Sequence, residues 1–75
     1  TVGAWAPESE VADLLRAAET ANEGVAIGSY PFFKQGRVGA NFVVRSEEES
    51  LARRVAGELE RALDAAGYAP VPGGI

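Results

Sequence analysis

The apolar positions of the chain change period along its length, and each period predicts a different element. Two stretches carry apolar residues at the i, i+3, i+4, i+7 spacing of one helical face. The first spans residues 8–22 and the second residues 46–67. The predicted buried stripes are Val11, Leu14, Leu15 and Ala18 in the first helix, and Leu51, Val55, Leu59, Ala62 and Leu63 in the second.

The residues at the helix ends agree with these bounds. Pro7 suits the first position of the first helix, because its fixed φ matches a helix and its missing N–H has no partner there. Ser46, with Glu49 three residues on, predicts a capping box at the start of the second helix. Gly24 and Gly67 can each take the left-handed conformation that ends a helix.

Shorter stretches predict three strands. Residues 1–5 combine β-branched and aromatic side chains, residues 25–30 form a second apolar run, and residues 38–45 alternate most clearly. Pro31 lacks an N–H, so the second strand must end there or lie at a sheet edge. The polar, glycine-containing residues 34–37 then predict the tip of a hairpin.

The element order is therefore β-α-β-β-α, which indicates a small α+β domain. A right-handed crossover between the first two strands, followed by a hairpin, places the third strand between them. The sequence thus predicts a three-stranded sheet in the order 1-3-2 with two helices on one face. This is a ferredoxin-like half-sandwich that lacks its fourth strand. Residues 1–68 would form the single domain, and residues 69–75 a C-terminal tail.

The size and composition of the chain indicate that its core needs stabilisation from outside the domain. A chain of 75 residues forms at most one domain with a thin core. It has no cysteine and no histidine, so disulfides, thiolate metal sites and the commonest general base are all missing. The absence of methionine, including at position 1, indicates a piece of a longer protein. We expect the marginal core to be helped by an upstream domain of that protein or by another subunit of a homo-oligomer.

Charge and hydropathy narrow the classes of partner. The net charge of −4 argues against nucleic acid and anionic membranes, since both select basic patches. No apolar run reaches the roughly 18 residues of a membrane span, and the first residues lack the pattern of a signal peptide. The cysteine-free composition fits a cytoplasmic location, which is the predicted one.

The sheet face turned away from the helices is predicted to be flat, small and nearly uncharged. By alternation it would carry the following residues: Gly3 or Trp5, Ala26, Gly28, Gly39, Asn41 and Val43. Glycines allow another backbone or a ring to approach closely. A bare surface of this kind is typical of an interface with another domain or a symmetry mate, although a bulged sheet that exposes small residues harmlessly is the alternative.

The polar residues offer little chemistry. Gly28 and Ser29 resemble part of a phosphate loop, but a phosphate cradle needs a following helix N-terminus, and Ser29 has no histidine to activate it. The acidic run 47–49 fits a solvated helix start. The bases Lys34, Arg37 and Arg45 could meet an anion, but scattered exposed cations are normal. The aromatic residues Tyr30, Phe32 and Phe33 fit core or interface positions better than base stacking, because no basic field surrounds them.

The stretch Ile27-Gly28-Ser29-Tyr30-Pro31-Phe32-Phe33 resembles the region that follows the molybdopterin-binding-like domain in the competence/damage-inducible protein A (CinA) family. A related stretch follows the same kind of domain in some FAD synthases. Residues 41–46, with the sequence NFVVRS, resemble a strand of the same region, and the similarity covers about residues 1–68.

This resemblance implies a context and no activity of the fragment itself. It implies a non-catalytic accessory domain of a CinA-like, nucleotide-processing protein, which packs on a neighbouring domain or mediates dimerisation. The parent would be a nucleotide pyrophosphatase or a nicotinamide mononucleotide amidase. A small-ligand or nucleotide-binding regulatory module is the alternative. No catalytic, cofactor-binding or metal-binding residue and no cofactor is assigned. The interface and motif candidates are Gly28, Ser29, Tyr30, Pro31, Phe32 and Asn41.

Overall fold

The computed structural model describes all 75 residues as two helices packed on a four-stranded antiparallel sheet. The strands are β1 (Val2–Ala4), β2 (Ala26–Lys34), β3 (Arg37–Arg45) and β4 (Val71–Pro72), and the helices are α1 (Glu8–Ala21) and α2 (Glu49–Ala65). The strand order is β2-β3-β1-β4. The α+β class and the two helices on one face agree with the sequence prediction.

The predicted three-stranded sheet and half-sandwich do not match the structure in full, because β4 adds a strand beside β1. Val71 pairs with Gly3, and Pro72 pairs with Val2. The expected neighbours of β3 are present, since β1 and β2 flank it and both run antiparallel to it. A two-residue strand has no periodic pattern of its own, so the sequence carried no signal for it.

The core lies between the sheet and the two helices. Phe42 at the centre of β3 is fully buried, and so are Val2 from β1 and Ala40 beside it in β3. The helices contribute the other main members of this cluster: Val11 and Leu15 from α1, and Leu59 and Leu63 from α2. The predicted helical stripes therefore face the alternating strand as expected.

The glycine at the end of α2 behaves as predicted. Gly67 has a φ of +91°, and the following N–H of Tyr68 donates to the carbonyl of Leu63 at 2.9 Å. The N–H of Gly67 donates to the backbone carbonyl of Asp64, and the two hydrogen bonds together form a Schellman motif. The Tyr68 ring packs on the core, and its hydroxyl donates to the Glu10 carboxylate at 3.2 Å. The loss of hydration around the Tyr68 hydroxyl is the larger cause and the negative charge of Glu10 the smaller cause of a raised pKa of Tyr68.

The start of α2 differs from the predicted capping box. The helix begins at Glu49, after the extended residue Glu48, and no side chain caps it. The hydroxyl of Ser46 instead accepts a hydrogen bond from the Glu48 N–H at 3.1 Å, in the turn before the helix. The helix therefore starts later than the sequence signal indicated, because Ser46 stabilises that turn.

Strand β2 continues through Pro31 to Lys34, three residues beyond the proline, and all peptide bonds are trans. Gln35 and Gly36 form a two-residue turn with φ values of +53° and +75°, the type I′ pattern of tight hairpins. In such a hairpin Lys34 and Arg37 form a hydrogen-bonded pair, so the odd residues of β2 direct their backbone groups to the free edge. The missing N–H of Pro31 therefore costs no ladder bond.

No helix of the fold has both the length and the apolar character needed to cross a membrane.

Candidate interaction surface

The residues of the β2–β3 hairpin divide between the two sides of the sheet by strict alternation. Even positions of β2 and odd positions of β3 lie on the side away from the helices, which we call the open face. Of the six predicted motif residues, Gly28, Tyr30, Phe32 and Asn41 lie there. Ser29 and Pro31 lie on the helix side, so the six do not form one site.

On the open face the aromatic rings lie over the glycines. A Cβ at Gly28 would come 3.1 Å from the Tyr30 ring, and one at Gly39 would come 2.6 Å from the Phe32 ring. The rings therefore occupy the space that the absent side chains leave. The predicted flat, small surface is wrong in this respect, because the hairpin extends past Pro31 and brings both rings onto the face.

Trp5 and two cations complete the cluster. The Trp5 and Phe32 rings meet edge to face, with centroids 5.3 Å apart. The Arg37 guanidinium lies 4.4 Å from the Trp5 centroid, and the Lys34 ammonium lies 4.9 Å from the Phe32 centroid. Further along, Arg45 donates a hydrogen bond of 3.0 Å to the Tyr30 hydroxyl. The open face is thus aromatic and positive, and the expectation that it would be nearly uncharged is also wrong.

Asn41 binds the end of the chain. Its amide accepts from the N–H of Ile75 at 2.7 Å and donates to the Ile75 carbonyl at 3.1 Å. Gly73 and Gly74, with φ values of +84° and +95°, turn the chain back over the sheet after β4. Ile75 then covers Gly3, where a Cβ would lie 2.7 Å from the Ile75 side chain. The open face is therefore covered by the chain itself at Asn41 and Gly3.

The helix side of the hairpin tip is uncovered. Residues 31–38, which we call the hairpin arm, place Pro31, Phe33 and Val38 on that side. Phe33 is 71% exposed and its cross-strand partner Val38 is 46% exposed, whereas Ala40, two residues on, is fully buried. The helices therefore stop covering the sheet between Val38 and Ala40, and the arm presents an unpartnered apolar pair.

The position of Ser29 fits neither a phosphate loop nor a catalytic nucleophile. It lies within continuous strand β2, and no helix starts behind it. Its hydroxyl is buried with no hydrogen-bond partner on the helix side. The strand runs through Gly28 and Ser29 without interruption.

The surface hollows give no support to a ligand site at Tyr30. Four hollows of about 220 to 400 Å³ are present, and none includes Gly28, Tyr30, Phe32 or Asn41. The rings fill the concavity above the glycines, so no pocket remains there.

The sequence did not indicate that Phe33 and Val38 share one exposed surface. It also did not indicate the contacts of the Trp5 ring with Phe32 and Arg37. The available signal was the hairpin itself. Once the turn is placed at Gln35 and Gly36, the register puts Phe33 opposite Val38 and Phe32 opposite Gly39. The contact of Ile75 with Asn41 had no such local signal, since it joins positions 34 residues apart.

Comparison with known proteins gives one family. A family model described as "FAD synthase, middle domain" matches residues 1–71. No curated protein and no solved structure matches the chain.

This match corrects the expectation of a CinA-type protein. The stretch around GSYPFF resembles both groups, but the match over residues 1–71 is to the FAD synthase family and not to a CinA domain. The competence/damage-inducible and molybdopterin-binding-like assignment is therefore wrong. The expected parent proteins were a nucleotide pyrophosphatase or a nicotinamide mononucleotide amidase. Both conflict with membership of the FAD synthase family, so this expectation is also wrong.

Proposed function

The chain belongs to the FAD synthase middle-domain family, and we propose that in such a protein it is a non-catalytic packing domain whose hairpin arm is held against a neighbouring domain. The residues that the arm presents on the helix side, Pro31, Phe33 and Val38, are apolar, which suits packing and supplies no acid, base or nucleophile. A cytoplasmic setting, as the cysteine-free sequence suggests, is part of the same proposal.

The observation that carries this proposal is the uncovered pair at the tip of the hairpin. Phe33 and Val38 lie on the side of the sheet that elsewhere forms the core, yet they are 71% and 46% exposed. Burying a Phe or Val side chain is worth about 1.5–3 kcal/mol. A contact surface that covered both would therefore gain several kcal/mol from two residues, as interface anchors do.

The edge of the sheet supports the same surface. Strand β2 is the outermost strand, and its backbone groups at Ile27, Ser29 and Phe33 point to the free edge. Natural proteins protect such edges with proline, charge or a covering element. Pro31 interrupts this edge at its middle, and Lys34 ends it, so the edge is protected against strand addition while the side chains beside it stay available.

A paired substitution tests the proposal. In the polypeptide translated from the whole gene, changing Phe33→Ser together with Val38→Ser is expected to speed limited proteolysis at least about tenfold, because an interface anchor is lost. In the isolated 75-residue chain the same change is expected to lower the free energy of unfolding by only about 1 kcal/mol, since it removes the contact of this pair across the strands and little of the core.

Ala65→Ser is the matched control, because Ala65 is exposed but lies on α2. Equal proteolysis rates for the control and the double variant in the longer polypeptide would contradict the proposal. Self-association of the 75-residue chain through the arm, seen by sedimentation and abolished by the double variant, would also overturn it by identifying a second copy as the occupant.

A further inference from the structure

The three cations of the sheet have no carboxylate partner in the chain. Lys34, Arg37 and Arg45 all lie on the open face, at the ends of β2 and β3. The ion pairs of the molecule lie instead within the two helices: Arg16 with Asp13, Arg53 with Glu49, and Arg54 with Glu58. The positive charge of the open face is therefore uncompensated.

Aromatic groups hold these cations in place. Arg37 lies over the Trp5 ring at 4.4 Å, Lys34 lies over the Phe32 ring at 4.9 Å, and Arg45 donates to the Tyr30 hydroxyl at 3.0 Å. A cation on a ring keeps its charge, and most of its N–H donors stay free to bind a further acceptor. The donors are thus positioned before any partner arrives.

The acidic residues lie elsewhere. The chain has 11 Asp and Glu residues, and no strand contains one. They lie in the helices and in the loops next to them: Glu8, Glu10, Asp13, Glu19, Glu23, Glu47, Glu48, Glu49, Glu58, Glu60 and Asp64. A chain with a net charge of −4 therefore carries one surface of the opposite sign.

We propose that the open face binds a carboxylate-rich polypeptide surface, with Lys34, Arg37 and Arg45 as its donors. This inference rests on the proposed function and adds the chemistry of the partner: the neighbouring domain presents Asp and Glu side chains to the open face. Charge complementarity selects this occupant, because the strands of this surface carry three cations and no Asp or Glu side chain.

The same observations disfavour a single-stranded nucleic acid. Binding to such strands uses aromatic faces on which bases stack. Here the faces of Trp5 and Phe32 are covered by Arg37 and Lys34. The net negative charge of the chain also opposes a phosphate backbone.

The single tryptophan makes the test direct, because Trp5 lies under Arg37. The chain is titrated with a short peptide of alternating glutamate and alanine, with the matching glutamine peptide, and with an oligothymidylate, while Trp5 fluorescence is followed. We expect only the glutamate peptide to shift the emission, with an affinity that falls at least about tenfold between about 0.02 and about 0.5 M salt.

Arg37→Gln combined with Lys34→Gln is expected to weaken binding at least about tenfold, whereas the control Arg61→Gln on α2 is expected to leave it unchanged. Circular dichroism checks that each variant is folded. Phe33→Ser is expected to bind the peptide as the parent chain does, since Phe33 lies on the other side of the sheet. This variant separates a failure of the open-face inference from a failure of the packing arm.

Equal binding of the glutamate and glutamine peptides would overturn the inference. Tighter binding of the oligothymidylate would overturn it in favour of nucleic acid, and equal weakening by Arg61→Gln would show that only net charge matters.

Discussion

Replacing Phe42 with alanine is expected to lower the free energy of unfolding by about 3–5 kcal/mol, as for other large buried aromatic side chains. Phe42 is the largest fully buried side chain and belongs to the core cluster to which both helices contribute. The total stability of a 75-residue domain is about 4–11 kcal/mol. The substitution should therefore remove a substantial part of the stability of the domain at 25 °C.

The neighbouring residue supplies the control for this prediction. Val43 follows Phe42 in β3 but lies half-buried on the open face. Val43→Ala is expected to cost about 1 kcal/mol, because little apolar surface leaves the interior. Urea unfolding of the two variants measures both values. Equal losses would mean that the core does not lie on the helix side of the sheet.

Gly39→Ala is expected to cost about 1–3 kcal/mol, since the added methyl group overpacks a filled site. Its Cβ would lie 2.6 Å from the Phe32 ring and 3.0 Å from the Ala4 carbonyl. The ring would have to move, and its edge-to-face contact with Trp5 would be lost with it. This position therefore links the stability of the domain to the geometry of the open face.

A double-mutant cycle identifies the cause of that loss. In a Phe32→Ala background, Gly39→Ala is expected to cost less than half as much, because the ring that it strikes is gone. Gly57→Ala is the matched control: a Cβ there meets only the Arg61 guanidinium at 3.6 Å, so the helix should gain about 0.5–1 kcal/mol. An unchanged cost of Gly39→Ala without Phe32 would exclude the ring as the obstacle.

The helices and the central strand were predictable because their signals are local and repeated. Val11 and Leu15 recur at helical spacing, and alternation around Phe42 assigns one face of β3 to the core. Gly67 needed only its own conformational freedom to end α2. These features depend on residues close in sequence, so tertiary context changed them little.

The parts that the sequence left open or did not predict depend on register or on distant pairing. Whether Pro31 ends a strand is decided by which edge its missing N–H faces, and that follows only from the turn at Gln35 and Gly36. The short β4 and the contact of Ile75 with Asn41 join opposite ends of the chain. Neither has a local pattern that a sequence could display.

The candidate surface also combines features with a local sequence signal and features that depend on contacts between strands. The sequence singled out Tyr30 and Phe32 as interface candidates, whereas their partners Arg45 and Lys34 were interpreted as scattered cations. Pairing of rings with cations depends on side-chain direction across two strands, which composition does not give. The family assignment failed because its most specific motif, GSYPFF, resembles two groups of proteins, whereas the family model that matches residues 1–71 is that of FAD synthase.

Amide hydrogen exchange of the hairpin arm, compared between the 75-residue chain and the polypeptide translated from the whole gene, tests the packing of the arm most directly. The N–H of Phe33 faces the free edge of β2, so it should exchange rapidly in the isolated chain. We predict at least about tenfold slower exchange at Phe33 in the longer polypeptide, with little change at Leu59 in the core. Equal exchange at Phe33 in both would contradict a packing role for the arm.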